Sequence, residues 1–251
     1  GGADLAFYAE QANKLGVNVE GGASAVVEAY KLIGSAKPEL LNNAKALDAV
    51  TQSAITLSQA SGMTLPESAT ALTDAMNQFG ASAEEADKFV NVLANGAKFG
   101  SAEIPQITEA LLKFGAVAKS TGTSVEESTA MIELLAEKGL KGAEAGTALR
   151  NVMLKLSAPD ALPKEAQERL EGLGISLEEL SNPALSITQK LEMLKPLTED
   201  NGALMKVFGT ENATASLQLL LNTERIKELN GQMYTQGTHL EQAKQRTNTL
   251  G

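Results

Sequence analysis

In a chain with one histidine and no cysteine, chemistry falls first to the carboxylates. Three adjacent pairs stand out: Glu84–Glu85, Glu126–Glu127 and Glu178–Glu179. Two carboxyl groups flanking a sugar oxygen could divide general acid and base work, one of them with a raised pKa in a polar cleft. Each pair, however, falls in the first turn of a predicted helix, where negative charge meets the positive end of the macrodipole. That structural role explains all three. His239 lies in a polar helical stretch and is expected to be solvent-exposed and inert. Zinc or iron sites built on His and Cys, and Cys–His catalysis, are excluded by composition. Phosphate loops, dinucleotide fingerprints, nucleophile elbows and calcium loops are absent from the sequence. No catalytic residue, cofactor or metal ion is expected.

The remaining candidate is a stretch rich in glycine and cations, Lys138-Gly139-Leu140-Lys141-Gly142-Ala143-Glu144-Ala145-Gly146-Thr147-Ala148-Leu149-Arg150. Gly139 should stop one helix and Gly142 should permit a tight turn. Gly146 and Ala148 should let the next helix approach a neighbour closely. Thr147 can bond locally, and Arg150 can reach nearby carboxylates or helix ends. With Lys155, the cations Lys138, Lys141 and Arg150 form the only basic cluster. Gly139, Lys141, Gly142, Gly146, Thr147 and Arg150 are the candidate interaction or fold-signature residues.

Helices must position these residues. Leu65, Ala69, Leu72, Met76 and Phe79 step by 4, 3, 4 and 3, a period of about 3.6 that marks one helical face. Ile104, Ile107, Leu111, Phe114 and Ala118 mark another. Thr64 with Glu67, Ser82 with Glu85, Ser124 with Glu127 and Ser176 with Glu179 fit the capping box. Four of the six Phe stand directly before Gly, at Gly80, Gly100, Gly115 and Gly209. A Gly closing a helix in the left-handed conformation accounts for that pairing, although Gly115 fits equally well inside a helix. The predicted helices run near 3–15, 22–34, 38–60, 65–79, 83–98, 103–120, 124–138, 144–157, 163–172, 176–181, 185–195, 200–208 and 211–250.

In the last of these, Leu219, Ile226, Met233 and Leu240 recur every seven residues, with Leu229, Ala243 and Leu250 as their partners. The spacing fits a coiled-coil or hairpin seam, or one amphipathic helix docking on a bundle. The fold class is therefore all-α: a bundle of short antiparallel helices or stacked helical hairpins, with a longer C-terminal helix. Pro159 and Pro163 end a helix firmly and mark the expected joint. It separates an N-terminal helical subdomain, 1–157, holding the glycine-rich segment, from a C-terminal one, 158–251.

Composition narrows the function. There are 38 Ala and 35 Leu in 251 residues, with a net charge of −10 and 43% hydrophobic residues, enough apolar side chains for a packed core. The acidic excess is even along the chain and no basic stripe exists, so direct nucleic-acid binding is not expected. No apolar run is long enough to span a membrane. The sequence does not begin with Met and ends at Gly251 inside a helical pattern, which reads as a piece of a longer chain.

The string from Lys138 to Arg150, continuing through Asn151-Val152-Met153-Leu154-Lys155-Leu156-Ser157-Ala158-Pro159, resembles the core region of phage tail tape measure proteins of the lactococcal type. That region reads as a helix, then Gly-[Ile/Leu]-Lys-Gly, then an Ala-Gly-Thr-x-Leu-Arg helix, then a leucine and proline stop. Thr64–Gly80, Gly122–Leu135, Leu173–Ser176, Val207–Gly209 and Ser216–Leu221 follow the family's order, so the resemblance covers about residues 45–225. It implies a phage or prophage origin and a structural, non-enzymatic domain acting in tail assembly and length determination. Its partners would be tail tube, tail assembly chaperone or baseplate proteins, or its own copies. Its location would be the virion tail, and the host bacterial cytoplasm during assembly. Two rival readings are a helical-repeat binding module outside the virion, which needs a concave apolar groove, and a cell-wall hydrolase, which needs a cleft with a buried Glu.

Overall fold

The structure is a computed structural model and describes residues 2–250. Among them the backbone forms fifteen α-helices and five short 3-10 turns, with no strand. The all-α expectation holds, and no helix is long and apolar enough to cross a membrane among the described residues. The chain divides into two compact units, Gly1–Asn95 with Thr235–Gly251, and Gly96–Tyr234. The joint expected at Ser157–Pro163 ends a helix at Ser157 but lies inside the second unit.

The first unit contains α1 (Gly2–Gly16), α2 (Gly22–Ala36), α3 (Ala44–Ser61), α4 (Leu65–Phe79), the start of α5 (Ala86–Phe99) and α15 (Thr238–Leu250). Helix α3 is central and packs against α1, α2, α4 and α15. Its Leu47, Val50, Ala54 and Leu57 are buried, at helical spacing on one face. The core also holds a carboxylate. Buried Asp48 accepts hydrogen bonds from Tyr30 Oη at 2.6 Å, Gln52 Nε2 at 2.7 Å and Gln11 Nε2 at 2.9 Å. Three donors compensate the loss of water around it. Burial, with the bond to Asp48, pushes the Tyr30 phenol up.

Local signals fix the ends of these helices. Thr64 accepts from the Glu67 N–H, and Glu67 reaches back to the Thr64 N–H at 3.0 Å, so the capping box forms. Gly80, with φ +63°, closes α4, and the Ala81 N–H returns to the Met76 carbonyl. Phe114–Gly115 lies inside a helix rather than at its end.

The helix expected over 38–60 breaks at Asn43 into a 3-10 turn, Pro38–Asn42, and α3, and Gly100 after Phe99 does not take a positive φ; two larger expectations are also overturned. The single helix over 211–250 is instead α13 (Ala213–Leu221), α14 (Thr223–Gln232) and α15, preceded by a 3-10 turn at Thr210–Asn212. The Asn222 amide turns back to the Gln218 carbonyl at 2.7 Å, and Gly237 takes φ +77°. Leu219, Ile226, Leu229 and Met233 are buried in the second unit, whereas Leu240 is 58% exposed. The heptad spacing does not make one seam, and its Leu250 position lies outside the described side chains.

His239 is the second correction, being 4% exposed. The Asn91 amide donates to the Thr235 carbonyl at 2.8 Å, which leaves Asn91 Oδ1 to accept. It takes the His239 backbone N–H at 3.2 Å and faces ring Nδ1 at 2.9 Å, while Nε2 meets Asp87 Oδ2 at 2.8 Å. Asn95 donates to the same Thr235 carbonyl. These bonds fasten the start of α15 to α5. An Asn91→Ala chain leaves the ring nitrogen, the His239 N–H and one bond to Thr235 without their partner. It should lose about 1–3 kcal/mol of stability, read as a lower urea midpoint at unchanged m-value.

The second unit holds the rest: α6 (Ile104–Ser120), α7 (Val125–Glu137), α8 (Gly142–Ser157), α9 (Lys164–Gly172), α10 (Leu177–Leu180), α11 (Ile187–Met193), α12 (Asn201–Phe208), α13 and α14. Helix α7 is the axis. Eleven of its thirteen residues are buried, enclosed by α6, α8, α13 and α14.

Candidate functional site

The glycine-rich segment joins α7 to α8. Helix α7 closes when the Gly139 N–H bonds to the Ala136 carbonyl at 3.0 Å and the Leu140 N–H to Leu135 at 2.9 Å. Gly139 has φ +92°, the left-handed stop that the sequence predicts. Lys141 is extended and sends its ammonium to the Ser101 carbonyl at 3.3 Å. Gly142 starts α8 with φ +63°, and a Cβ there would meet Glu109 Oε2 at 2.8 Å.

Gly146 is where the two longest helices of the unit meet. A Cβ on it would run into the backbone oxygen and Cα of Ala110, on α6, and into Lys113 Cβ. Because Gly146 has none, α8 lies on α6 backbone to backbone. Ala145, Leu149, Val152, Met153 and Leu156 then bury the inner face of α8.

The outer face of α8 is open. Thr147, half-exposed, lines a groove of about 570 Å³ together with Glu144, Ala148 and Asn151 on the same helix. The Lys138–Leu140 turn forms one end, and Glu211, Asn212 and Gln218 the opposite wall. A second recess of about 360 Å³ shares Asn151, Glu211 and Asn212 and extends past Leu154 and Lys155 to Pro163. Leu154 is 48% exposed. Residues at positions 144, 147, 151 and 154 fall on one helical face, and Ala158 follows the last turn, so the two recesses run along α8.

Asn212 orders the far wall. It is buried, donates to the Phe208 carbonyl at 2.9 Å and accepts from Asn151 Nδ2 at 3.3 Å. Neither Asn151 nor Asn212 was a sequence candidate. The Thr147–Asn151 spacing of four was a usable signal for the first, whereas the second is found only through a contact 61 residues away. Arg150 is half-buried between Gly146 and Thr147 on one side and Met153 and Leu154 on the other, with no carboxylate at helical spacing. Among the described residues it forms no ion pair. The structure thus brings Gly139, Thr147 and the Lys138 turn to the groove, spends Gly142 and Gly146 on packing, and turns Lys141 to Ser101.

The paired carboxylates also separate. Ser124 caps α7 by accepting from the Glu127 N–H at 3.1 Å. The Glu127 carboxylate accepts from Thr188 Oγ1 at 3.3 Å, and burial pushes its pKa up. The most buried carboxylate is one the sequence reading passed over. Glu133 has no exposed surface and accepts from the Ala102 N–H at 2.7 Å, and burial lifts it to about 8. Walled in by backbone, it offers no route to a substrate oxygen.

Comparison with known proteins gives the family. The family described as phage-related minor tail protein matches residues 9–209. The chain belongs to that family. Its relatives include the tape measure protein of Pneumococcus phage Dp-1, 30% identical over 65% of this chain and 14% of the relative. The probable tape measure protein of Escherichia phage P2 is 26% identical over 87% of this chain and 27% of its own. That of Halomonas phage phiHAP-1 is 27% identical over 60% and 18%. The chain therefore spans about a quarter or less of these relatives' lengths. No solved structure matches it. The family match covers α8 and the glycine turn before it.

In this minor tail protein, Gly146→Val should force α8 off α6 and cost about 1–3 kcal/mol through overpacking. Thr147→Ala, on the open face, should stay within about 0.5 kcal/mol of the parent. Thermal unfolding of the two variants side by side reads the difference.

Proposed function

We propose that this chain is a folded helical domain of a tail tape measure protein, of the lactococcal type, that works through protein contacts and carries out no catalysis. The groove along α8 is its contact surface, lined by Gly139 and Thr147; Gly146 seats α8 against α6, and Lys141, Gly142 and Arg150 stand outside the lining. The observation that carries this reading is the division of labour on α8. One face is committed to α6 through Gly146, while Thr147, Asn151 and Leu154 remain open along the helix. Relatives named as tape measure proteins support the setting.

Its partners are tail tube, tail assembly chaperone or baseplate proteins, or further copies of the chain. It acts in assembly and length determination, in the host bacterial cytoplasm and then in the virion tail. No cofactor is required. The hydrolase alternative gains nothing from Glu133, which has no exposed surface.

Thr147→Arg places a long charged side chain in the groove without touching the core. In a phage encoding the chain, electron microscopy of lysates should show missing tails or tails of altered length. The purified variant should keep its unfolding midpoint. Normal titre and normal tail length with Thr147→Arg would contradict the contact role.

A further inference from the structure

The turn between α5 and α6 is held by side chains from three places in the second unit. Arg225 on α14 donates to the Phe99 carbonyl at 3.3 Å and pairs with Glu137 at 2.7 Å. Lys141 donates to the Ser101 carbonyl at 3.3 Å. Between these, Glu133 Oε2 accepts the Ala102 N–H at 2.7 Å. The space for this carboxyl exists because Gly100 has no side chain; a Cβ there would coincide with the carboxyl group itself. A Cβ on Gly96 would come within 3.3 Å of Oε1, and Oε1 has no hydrogen-bond partner.

We propose that Glu133 is a proton-controlled latch: as the neutral acid it holds the Gly100–Ala102 turn against α7, and its ionisation releases that turn. Oε2 must present a lone pair to the Ala102 N–H, so the proton belongs on Oε1. The surroundings disfavour a second state with charge. Glu137 on α7 and Glu103 at the start of α6 both repel it. On α14, Arg225 is already committed to Glu137 and Glu228. On the turn into α8, Lys141 faces a carbonyl of the loop, and on α5 the Lys98 ammonium lies over the Phe99 ring at 5.3 Å. Helix α13 carries no ionisable side chain.

Burial raises the Glu133 carboxyl from 4.5 to about 8, against the smaller opposing effect of the Ala102 and Ser101 N–H groups. The folded unit thus binds this proton more tightly than the unfolded chain. The stabilisation is complete below about 4.5 and is lost as pH rises through about 8.

Amide exchange at Ala102, corrected for the intrinsic chemical rate, tests the latch on the full chain. Protection should fall by up to about tenfold per pH unit between about pH 5 and 8. Glu133→Gln, which keeps an acceptor for the Ala102 N–H, should remove that slope. Gly100→Ala, which displaces the carboxyl, should leave Ala102 poorly protected already at pH 5. Wild-type protection that stays level across the window would overturn the proposal, as would Glu133→Gln retaining the wild-type slope. Should Glu133→Gln not fold, a Gly100→Ala chain that keeps both the protection and its pH dependence would overturn it equally.

Discussion

Two helix backbones can touch only where neither puts a side chain between them, and at Gly146 the backbone of α8 rests on Ala110 of α6. The second unit depends on that approach. With α6 and α8 closed on each other, α7 lies against both and takes α13 and α14 on its other sides. It can then be buried almost all round, although its sequence includes Glu126, Ser128, Thr129 and Glu133. Burying them costs free energy where no partner is supplied, as for the Ser128 and Thr129 hydroxyls, and apolar packing on all sides offsets that cost. For Glu133 the Ala102 N–H supplies a partner to one carboxyl oxygen.

The same approach decides which part of α8 is left over. Its inner face is spent on α6 and the core, and its outer face becomes the floor of the groove. Asn151 and Asn212 bridge the floor and the wall. A surface of this kind, mostly apolar and carrying amide groups, suits contact with another polypeptide. A structural role in the tail requires contacts of that kind and no reactive group.

What could be read from sequence divides by distance along the chain. Thr64 with Glu67 and Ser124 with the Glu127 N–H act over three residues, and Gly139 closes the helix immediately before it. Such signals are written locally, and the helix ends they mark were legible. Gly146 was legible too, as a site of close approach, though its neighbour on α6 was not. His239 was misread because its partners lie 148 and 152 residues earlier. Glu133 was passed over because the N–H it holds is 31 residues away. The C-terminal heptads misled for another reason. Periodicity shows which face of a helix is apolar, and it continues unbroken through Asn222 and Gly237, where the helix itself stops.

A photoreactive amino acid at Leu154, beside the second recess, reports most directly on whether the α8 face meets another protein in the tail. Incorporated into the phage and irradiated during assembly, it should give a discrete crosslinked product with a tail protein or a second copy of the chain. The same group at Leu5, exposed in the first unit, should give none of that product. An uncrosslinked Leu154 in phage that still assembles normal tails would contradict the account.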